Sequence, residues 1–308
     1  MTAVVSRLRG AVTTPLVIDS TELPVLEAGL KLYGGKAILN SINFENGEKD
    51  AADRLILARK FGAAGDFVTA PELTPLFAQA LAHQAAQVMA LSAPCILEAG
   101  AGSGRLAADL LLALEKLGQL PERYAILDVS ADLRERQRQT LASAAPHLLE
   151  RVVWLDELPQ SFAGLVLGNE VLDAMPVHCV TWQADAILEK GVSVDAAGRF
   201  CWQERPAAGR VREAAAAIAA ECPLPPGFTS EIALAGPAWA AAWGERLAQG
   251  ALLLIDYGFP RREFYHPQRH GGTLMCHYRH HAHADPFHLP GLEDITAHVD
   301  FTALIPAA

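Results

Sequence analysis

The sequence predicts an α/β fold, a mostly parallel sheet flanked by helices, and three observations carry that expectation. Short buried β-branched runs alternate with segments of helical period, the pattern of strand–helix–strand units. A Gly-x-Gly-x-Gly turn follows directly on one of those runs. Acidic or amide residues end the neighbouring runs, where open α/β sheets place a ligand. With 308 residues, 51% of them hydrophobic, the chain suits one large domain, or one domain with an appendage.

Taken in order, residues 12 to 65 read as β-α-β-α. Pro15-Leu-Val-Ile-Asp19 and Lys36-Ala-Ile-Leu-Asn40 are the strands, Leu23 to Tyr33 and Asp50 to Phe61 the helices. Gly34-Gly35 closes the first helix and Asn46-Gly47-Glu48-Lys49 supplies the turn before the second. From Pro94 the alternation resumes. Strands are expected at Cys95 to Glu98, Tyr124 to Asp128, Val152 to Leu155 and Gly164 to Gly168, with helices from Leu106 to Leu117 and from Asp132 to Ala145. Residues 177 to 236 change character: a polar hairpin-like stretch, an alanine-rich helix (Val211 to Ala220) and a proline turn read as an insertion. A helix from Pro237 to Leu247 and a strand from Ala251 to Asp256 return to the sheet, and a His-rich loop follows.

Bulk properties exclude several classes. A formal charge of −10 and a pI of about 5.5 offer no basic footprint for nucleic acid. The five cysteines are scattered, without Cys-x-x-Cys, which fits reduced thiols and a cytoplasmic location. No apolar run approaches the ~20 residues of a membrane span, and no secretory signal opens the chain.

Glycines 100, 102 and 104 let the backbone bend sharply and let a ligand lie against bare main chain. The third glycine comes one residue too early for the dinucleotide pattern Gly-x-Gly-x-x-Gly. Glu98 precedes the turn and Asp128 ends the next strand, where two carboxylate oxygens suit two ribose hydroxyls. Asp128 capping the next helix is the competing reading. Trp154 and Asp156, ending the third strand, suit an adenine ring and its amino group, although Trp154 fits a core equally well. Gly168-Asn169-Glu170-Val-Leu-Asp173-Ala-Met-Pro176 forms an acidic turn on the acceptor side of such a ligand. Carboxylates there suit a guanidinium or ammonium nucleophile and its proton, or simply decorate a helix N-terminus.

Together with Gly65-Asp66-Phe67-Val68-Thr69-Ala70-Pro71-Glu72, Leu254-Ile-Asp256-Tyr-Gly258 and Thr296-Ala-His298-Val-Asp300-Phe301, these motifs resemble the MidA-like methyltransferases from about Lys60 to Leu304. The resemblance implies a class I methyltransferase (Rossmann-like) fold and S-adenosyl-L-methionine as cofactor. Gly65, Asp66, Thr69 and Glu72 would belong to a loop over the cofactor; Gly100, Gly102 and Asp128 would hold its methionine and ribose parts. Asn169, Glu170 and Asp173 would line the reaction pocket. Asp128 stands where the family usually has glutamate. The family's mitochondrial member is a protein arginine methyltransferase acting on a complex I subunit, which implies a protein substrate, with a respiratory complex subunit as one candidate. Residues 12 to 63 resemble instead the pterin-binding barrel of cobalamin-dependent methionine synthase, with Asp19 and Asn40 on the pterin-binding positions. Two β-α units fall short of the eight a closed barrel needs. The expected organisation is therefore 1–63 as a pterin-binding-like segment and 64–308 as the methyltransferase domain, lacking the family's last strands. A non-catalytic chimeric remnant and folate binding by the N-terminal segment are the alternatives.

His277-Tyr-Arg-His280-His281-Ala-His283 clusters imidazoles, yet no cysteine or carboxylate completes a ligand spacing along the chain, so no metal is expected. Gly102-Ser103-Gly104 lacks nucleophile-elbow spacing, which sets acyl transfer aside.

Overall fold

The structure, a computed structural model, describes residues 70–278 and 281–307 together with the strands β1 (Val17–Ile18) and β2 (Ile38–Leu39). The chain divides into two units, Met1–Thr74 and Pro75–Ala308. In the first, β1 and β2 pair in parallel, Val17 opposite Ile38, and helix α1 spans Ala70–Leu73. Asp19, Asn40, Gly65, Asp66 and Thr69 lie outside the described residues.

The second unit is built on a five-stranded, wholly parallel sheet. Its strands are β3 (Cys95–Ala99), β4 (Arg123–Leu127), β5 (Val152–Leu155), β6 (Phe162–Asn169) and β11 (Leu247–Ile255), in the order β11-β6-β3-β4-β5. The chain runs outward from β3 to β5, then returns across β3 to β6 and continues outward to β11. That reversal between β3 and β6 is a topological switch point, the place where such sheets open a crevice. Side chains alternate along each strand. Ile96, Ile126, Leu165 and Leu167 pack on one face against Leu106, Leu110 and Leu111 of helix α3 (Arg105–Lys116), whereas Leu97, Ala125 and Val166 pack on the other against Trp243. Trp243 comes from helix α6 (Ala235–Arg246), so helices cover both faces. The central strands β3, β4 and β6 are mostly apolar and mostly buried because helices cover both of their faces, whereas the edge strands β5 and β11 are largely half-buried.

Helix α2 (Pro75–Leu91), outside the elements expected from the sequence, packs on α3. Its buried residues, Ala78, Ala82, Ala85 and Met89, recur at helical spacing, and their small size lets the two helices approach closely. Helix α4 (Ala131–Ala144) starts at Ser130, whose hydroxyl accepts from Leu133 N at 3.3 Å. Ser130, and not Asp128, caps this helix.

The expected insertion folds as a second, antiparallel sheet, β10-β7-β8-β9, from β7 (His178–Trp182), β8 (Ile187–Val194), β9 (Phe200–Pro206) and β10 (Phe228–Ile232). Helix α5 (Gly209–Glu221) covers it, and Val180, Trp182, Val211, Ala215 and Phe228 form a core separate from that of the parallel sheet. Beyond β11 come the short pair β12 (Gly258–Phe259) with β16 (Val299–Asp300), and helix α7 (Arg261–Phe264). The region read as a His-rich loop contains a three-stranded antiparallel sheet, β14-β13-β15: β13 (Met275–Tyr278), β14 (His281–His283) and β15 (Asp294–Thr296). Buried Glu231 anchors its start, accepting from Thr273 N (2.8 Å), Thr273 Oγ1 (3.0 Å) and Leu274 N (3.1 Å). Among the described residues, no helix is long and apolar enough to cross a membrane.

Candidate functional site

The carboxyl ends of the strands are level, because the register pairs Ala99 with both Leu127 and Gly168, Leu127 with Leu155, and Asn169 with Ile255. One edge therefore carries Glu98, Asp128, Asp156, Asn169 and Asp256. Between β3 and α3 the three glycines all adopt positive φ: 66° at Gly100, 51° at Gly102 and 82° at Gly104. L-residues with side chains rarely adopt that region, so the turn has its shape because it has no Cβ atoms. A Cβ on Gly104 would lie 2.9 Å from Gln137 Cα, whereas one on Gly102 would meet nothing within 4 Å. The turn is thus closed toward α4 at Gly104 and open at Gly102.

Gln137, fully buried on α4, joins the turn to the acid of the neighbouring strand. Its Nε2 donates to Gly102 O at 3.1 Å and to Asp128 Oδ2 at 2.8 Å, and its Oε1 accepts from Trp154 Nε1 at 3.0 Å. One amide nitrogen touches both Gly102 and Asp128, so the glycine turn and the acid are held side by side. Asp128 Oδ1 accepts from Ser130 N at 3.0 Å. Each carboxylate oxygen thus spends one bond and keeps capacity for another. Val129, next to Asp128, is an apolar side chain left fully exposed at this edge.

Glu98 is 2% exposed, buried within the sheet. Tyr124 Oη donates to its Oε2 at 2.6 Å, and burial, opposed by that bond, pushes its carboxyl up to about 7. Trp154 spends its N–H on Gln137 and carries the Arg138 guanidinium 4.5 Å from its ring centre, so that face is closed to an adenine. Asp156 is exposed and pairs with Arg134 at 2.6 Å. Glu72, half-buried, lies on α1 in the first unit.

The turn after β6 holds the acids expected on the acceptor side. A Cβ on Gly100 would meet Val171 Cγ2 at 3.2 Å, so this turn lies against the glycine turn. Glu170 has φ 51°, the one non-glycine residue with positive φ among those described. Such strain of about 1–3 kcal/mol persists where its surroundings hold it. Here Glu170 N donates to Ile255 O at 2.8 Å. Asp256, a residue of the quoted motifs but not an expected site residue, accepts from Leu172 N (2.9 Å), Asp173 N (3.3 Å) and Tyr257 N (2.8 Å) and so shapes the turn. Asp173 is 7% exposed; burial first, then Asp256, Glu170 and Asp294, push its carboxyl up to about 7. Burial and the Asp256 charge raise Glu170 as well, against Tyr257 and Asn169. Glu170 Oε2 and Asp173 Oδ1 are buried without a hydrogen-bond partner. Buried carboxylate oxygens left without a hydrogen bond amid like charges favour a cationic group beside them.

A doubly wound parallel sheet with an open glycine turn and an acid ending the neighbouring strand at its switch point has the class I methyltransferase architecture. Comparison with known proteins places the chain more closely. The sequence profile of an S-adenosyl-L-methionine-dependent methyltransferase family matches residues 78–308, and the chain belongs to that family. A profile of pterin-binding enzymes matches residues 1–119. The two overlap at 78–119, where β3 pairs with β4 and β6 inside the parallel sheet, so the overlap is structurally part of the methyltransferase unit.

Among curated relatives, the mitochondrial protein arginine methyltransferase NDUFAF7 homologs of Drosophila melanogaster and Caenorhabditis elegans are 30% and 27% identical, each over 78% of this chain. The chain spans 59% and 60% of those two proteins. Methionine synthase of Mycobacterium tuberculosis is 43% identical over 67 residues, 21% of this chain and 6% of that protein. A crystal structure of a Burkholderia thailandensis superfamily member bound to S-adenosyl-homocysteine is 52% identical, with a TM-score of 0.74 over 79% of this chain and 62% of that one. A native crystal structure from the same organism is 46% identical, with a TM-score of 0.75 over 99% of this chain and 76% of that one.

Proposed function

We propose that this chain is an S-adenosylmethionine-dependent methyltransferase that methylates a side-chain nitrogen of a protein, the guanidinium of arginine. The carrying observation is the juxtaposition of the open glycine turn with the partnerless carboxylate oxygens of Glu170 and Asp173. When bound, the cofactor supplies an electrophilic methyl group on a positively charged sulfur. The residues present fit it. Main chain bare at Gly102 leaves room beside the turn, Asp128 has lone pairs for ribose hydroxyls, and Val129 offers apolar surface to a base. Glu170 and Asp173 accept N–H bonds from the acceptor, orient it, and take the proton its nitrogen gives up on methylation. The arginine methyltransferase relatives support a guanidinium acceptor.

Calorimetric titration with S-adenosyl-homocysteine, followed by intact mass of arginine-containing protein fractions incubated with S-adenosylmethionine, tests the reading. Binding with methyl addition at arginine is expected. Binding without any mass gain identifies a non-catalytic remnant, and no binding by folded protein removes the cofactor site altogether. A second reading, pterin binding by the N-terminal segment, draws on the 1–119 match and the parallel β1–β2 pair. It predicts quenching of tetrahydrofolate fluorescence that Asp19→Ala and Asn40→Ala abolish.

A further inference from the structure

We propose that Cys276, His283 and Glu293 bind a divalent transition metal of the zinc type. Cys276 on β13 and His283 on β14 are directly opposed across the antiparallel ladder, so their side chains share one face of the small sheet. On the other side of β13, Asp294 of β15 pairs with His277, and the strand alternation returns Glu293 to the face of Cys276. The thiol, an imidazole nitrogen and a carboxylate oxygen lie within 4.8 Å of one another.

Two buried atoms of these residues make no hydrogen bond. The Glu293 side chain is 0% exposed; its Oε1 accepts from Leu289 N at 3.0 Å, while Oε2 has no hydrogen-bond partner. His283 Nε2 stands 3.2 Å from Glu293 Oε1 yet makes no hydrogen bond either. Leaving such atoms buried without a hydrogen bond is costly, and a cation between the imidazole and the carboxylate satisfies both together. A thiolate and a carboxylate balance a 2+ charge, and a sulfur–nitrogen–oxygen donor set selects zinc-like metals over magnesium or calcium. Bonds of about 2.0–2.3 Å require the three ligand atoms to draw in modestly. Ligation through Nε2 places the ring proton on Nδ1, so the 3.3 Å bond from Asp285 N to Nδ1 gives way. Three protein ligands leave a fourth position for water. The metal ties β14 and β15 to β13, and β15 carries Asp294, whose charge acts on Asp173. It thereby braces the acceptor side of the pocket; this last consequence rests on the reading above, the binding site itself does not.

The test strips the full chain with a chelator and titrates Co²⁺ and then Zn²⁺, with metal content by elemental analysis. Expected are about one metal per chain, tetrahedral cobalt bands in the visible, and a thiolate-to-cobalt charge-transfer band in the near ultraviolet that Zn²⁺ displaces. Cys276→Ser should abolish the charge-transfer band, and Glu293→Gln should weaken Zn²⁺ binding by roughly tenfold or more. Only octahedral cobalt bands, or an unchanged spectrum in Cys276→Ser, would overturn the proposal. Should a variant misfold, the wild-type titration still decides, because absent tetrahedral and thiolate bands refute the site. None of these readouts needs cofactor or methyl acceptor, so failure here is distinguishable from failure of the methyltransferase reading.

Discussion

The carboxyl of Asp173 couples burial, charge and pH in one side chain. An exposed aspartate titrates near 3.9, whereas burial and three neighbouring acids hold this one at about 7. Between roughly pH 4 and 7 the folded chain therefore keeps a proton that the unfolded chain has released, so stability falls as pH rises through that window and levels off above it. Glu98, also near 7, contributes a slope of the same sign. Asp173→Asn should flatten part of this fall, read as urea midpoints at about pH 5 and about pH 8; identical slopes in wild type and variant would refute the assignment. The same titration bears on function. On the proposed function, ionised Asp173 attracts a cationic acceptor and protonated Asp173 does not, so acceptor binding should strengthen as pH rises through about 7, and Asp173→Asn should weaken that dependence.

At the scale of elements, the strand-to-helix connection after β3 does the positioning. Its conformation is available to glycine and unfavourable to other residues, and Gly104 is in addition pressed against the α4 backbone at Gln137. Gly104→Ala must force a left-handed φ and shift α4, at a cost of about 1–3 kcal/mol. Because α4 carries Gln137, cofactor affinity should fall more steeply than stability; thermal melts and calorimetry on the same variant separate the two losses. Unaltered affinity would show that Gln137 does not transmit the geometry of the turn. The antiparallel sheet is a different kind of element. With its own core around Trp182 and its own helix, it adds mass beside the parallel sheet without interrupting the strand order that creates the crevice.

For the whole molecule, a ligand that binds the folded chain and not the unfolded one raises stability by mass action, about 2.7 kcal/mol at a concentration a hundred times its dissociation constant. S-adenosyl-homocysteine should therefore raise the thermal midpoint in a concentration-dependent way, and Asp128→Ala should remove most of that rise while the variant stays folded. A rise that survives in Asp128→Ala would place the nucleoside elsewhere. Much of this architecture was legible from local pattern. The strands β3 to β6, the helices α3 and α4, the glycine turn and the acids at the strand ends follow from short apolar runs, from the period of 3.6 and from the φ angles that glycine permits, all properties of near neighbours. The motifs also carried the methyltransferase family. Helix α2 escaped because its alanine stripe contrasts weakly with the residues around it. Other features were set only when the chain folded. Gln137 reaches Gly102 across 35 positions, Asp256 holds the turn of Asp173 from 83 positions away, and Cys276 meets His283 through strand register. Spacing along the chain predicts partners within one element, whereas strand order and register decide which distant side chains share a face, and those decisions are energetic outcomes of packing the entire core.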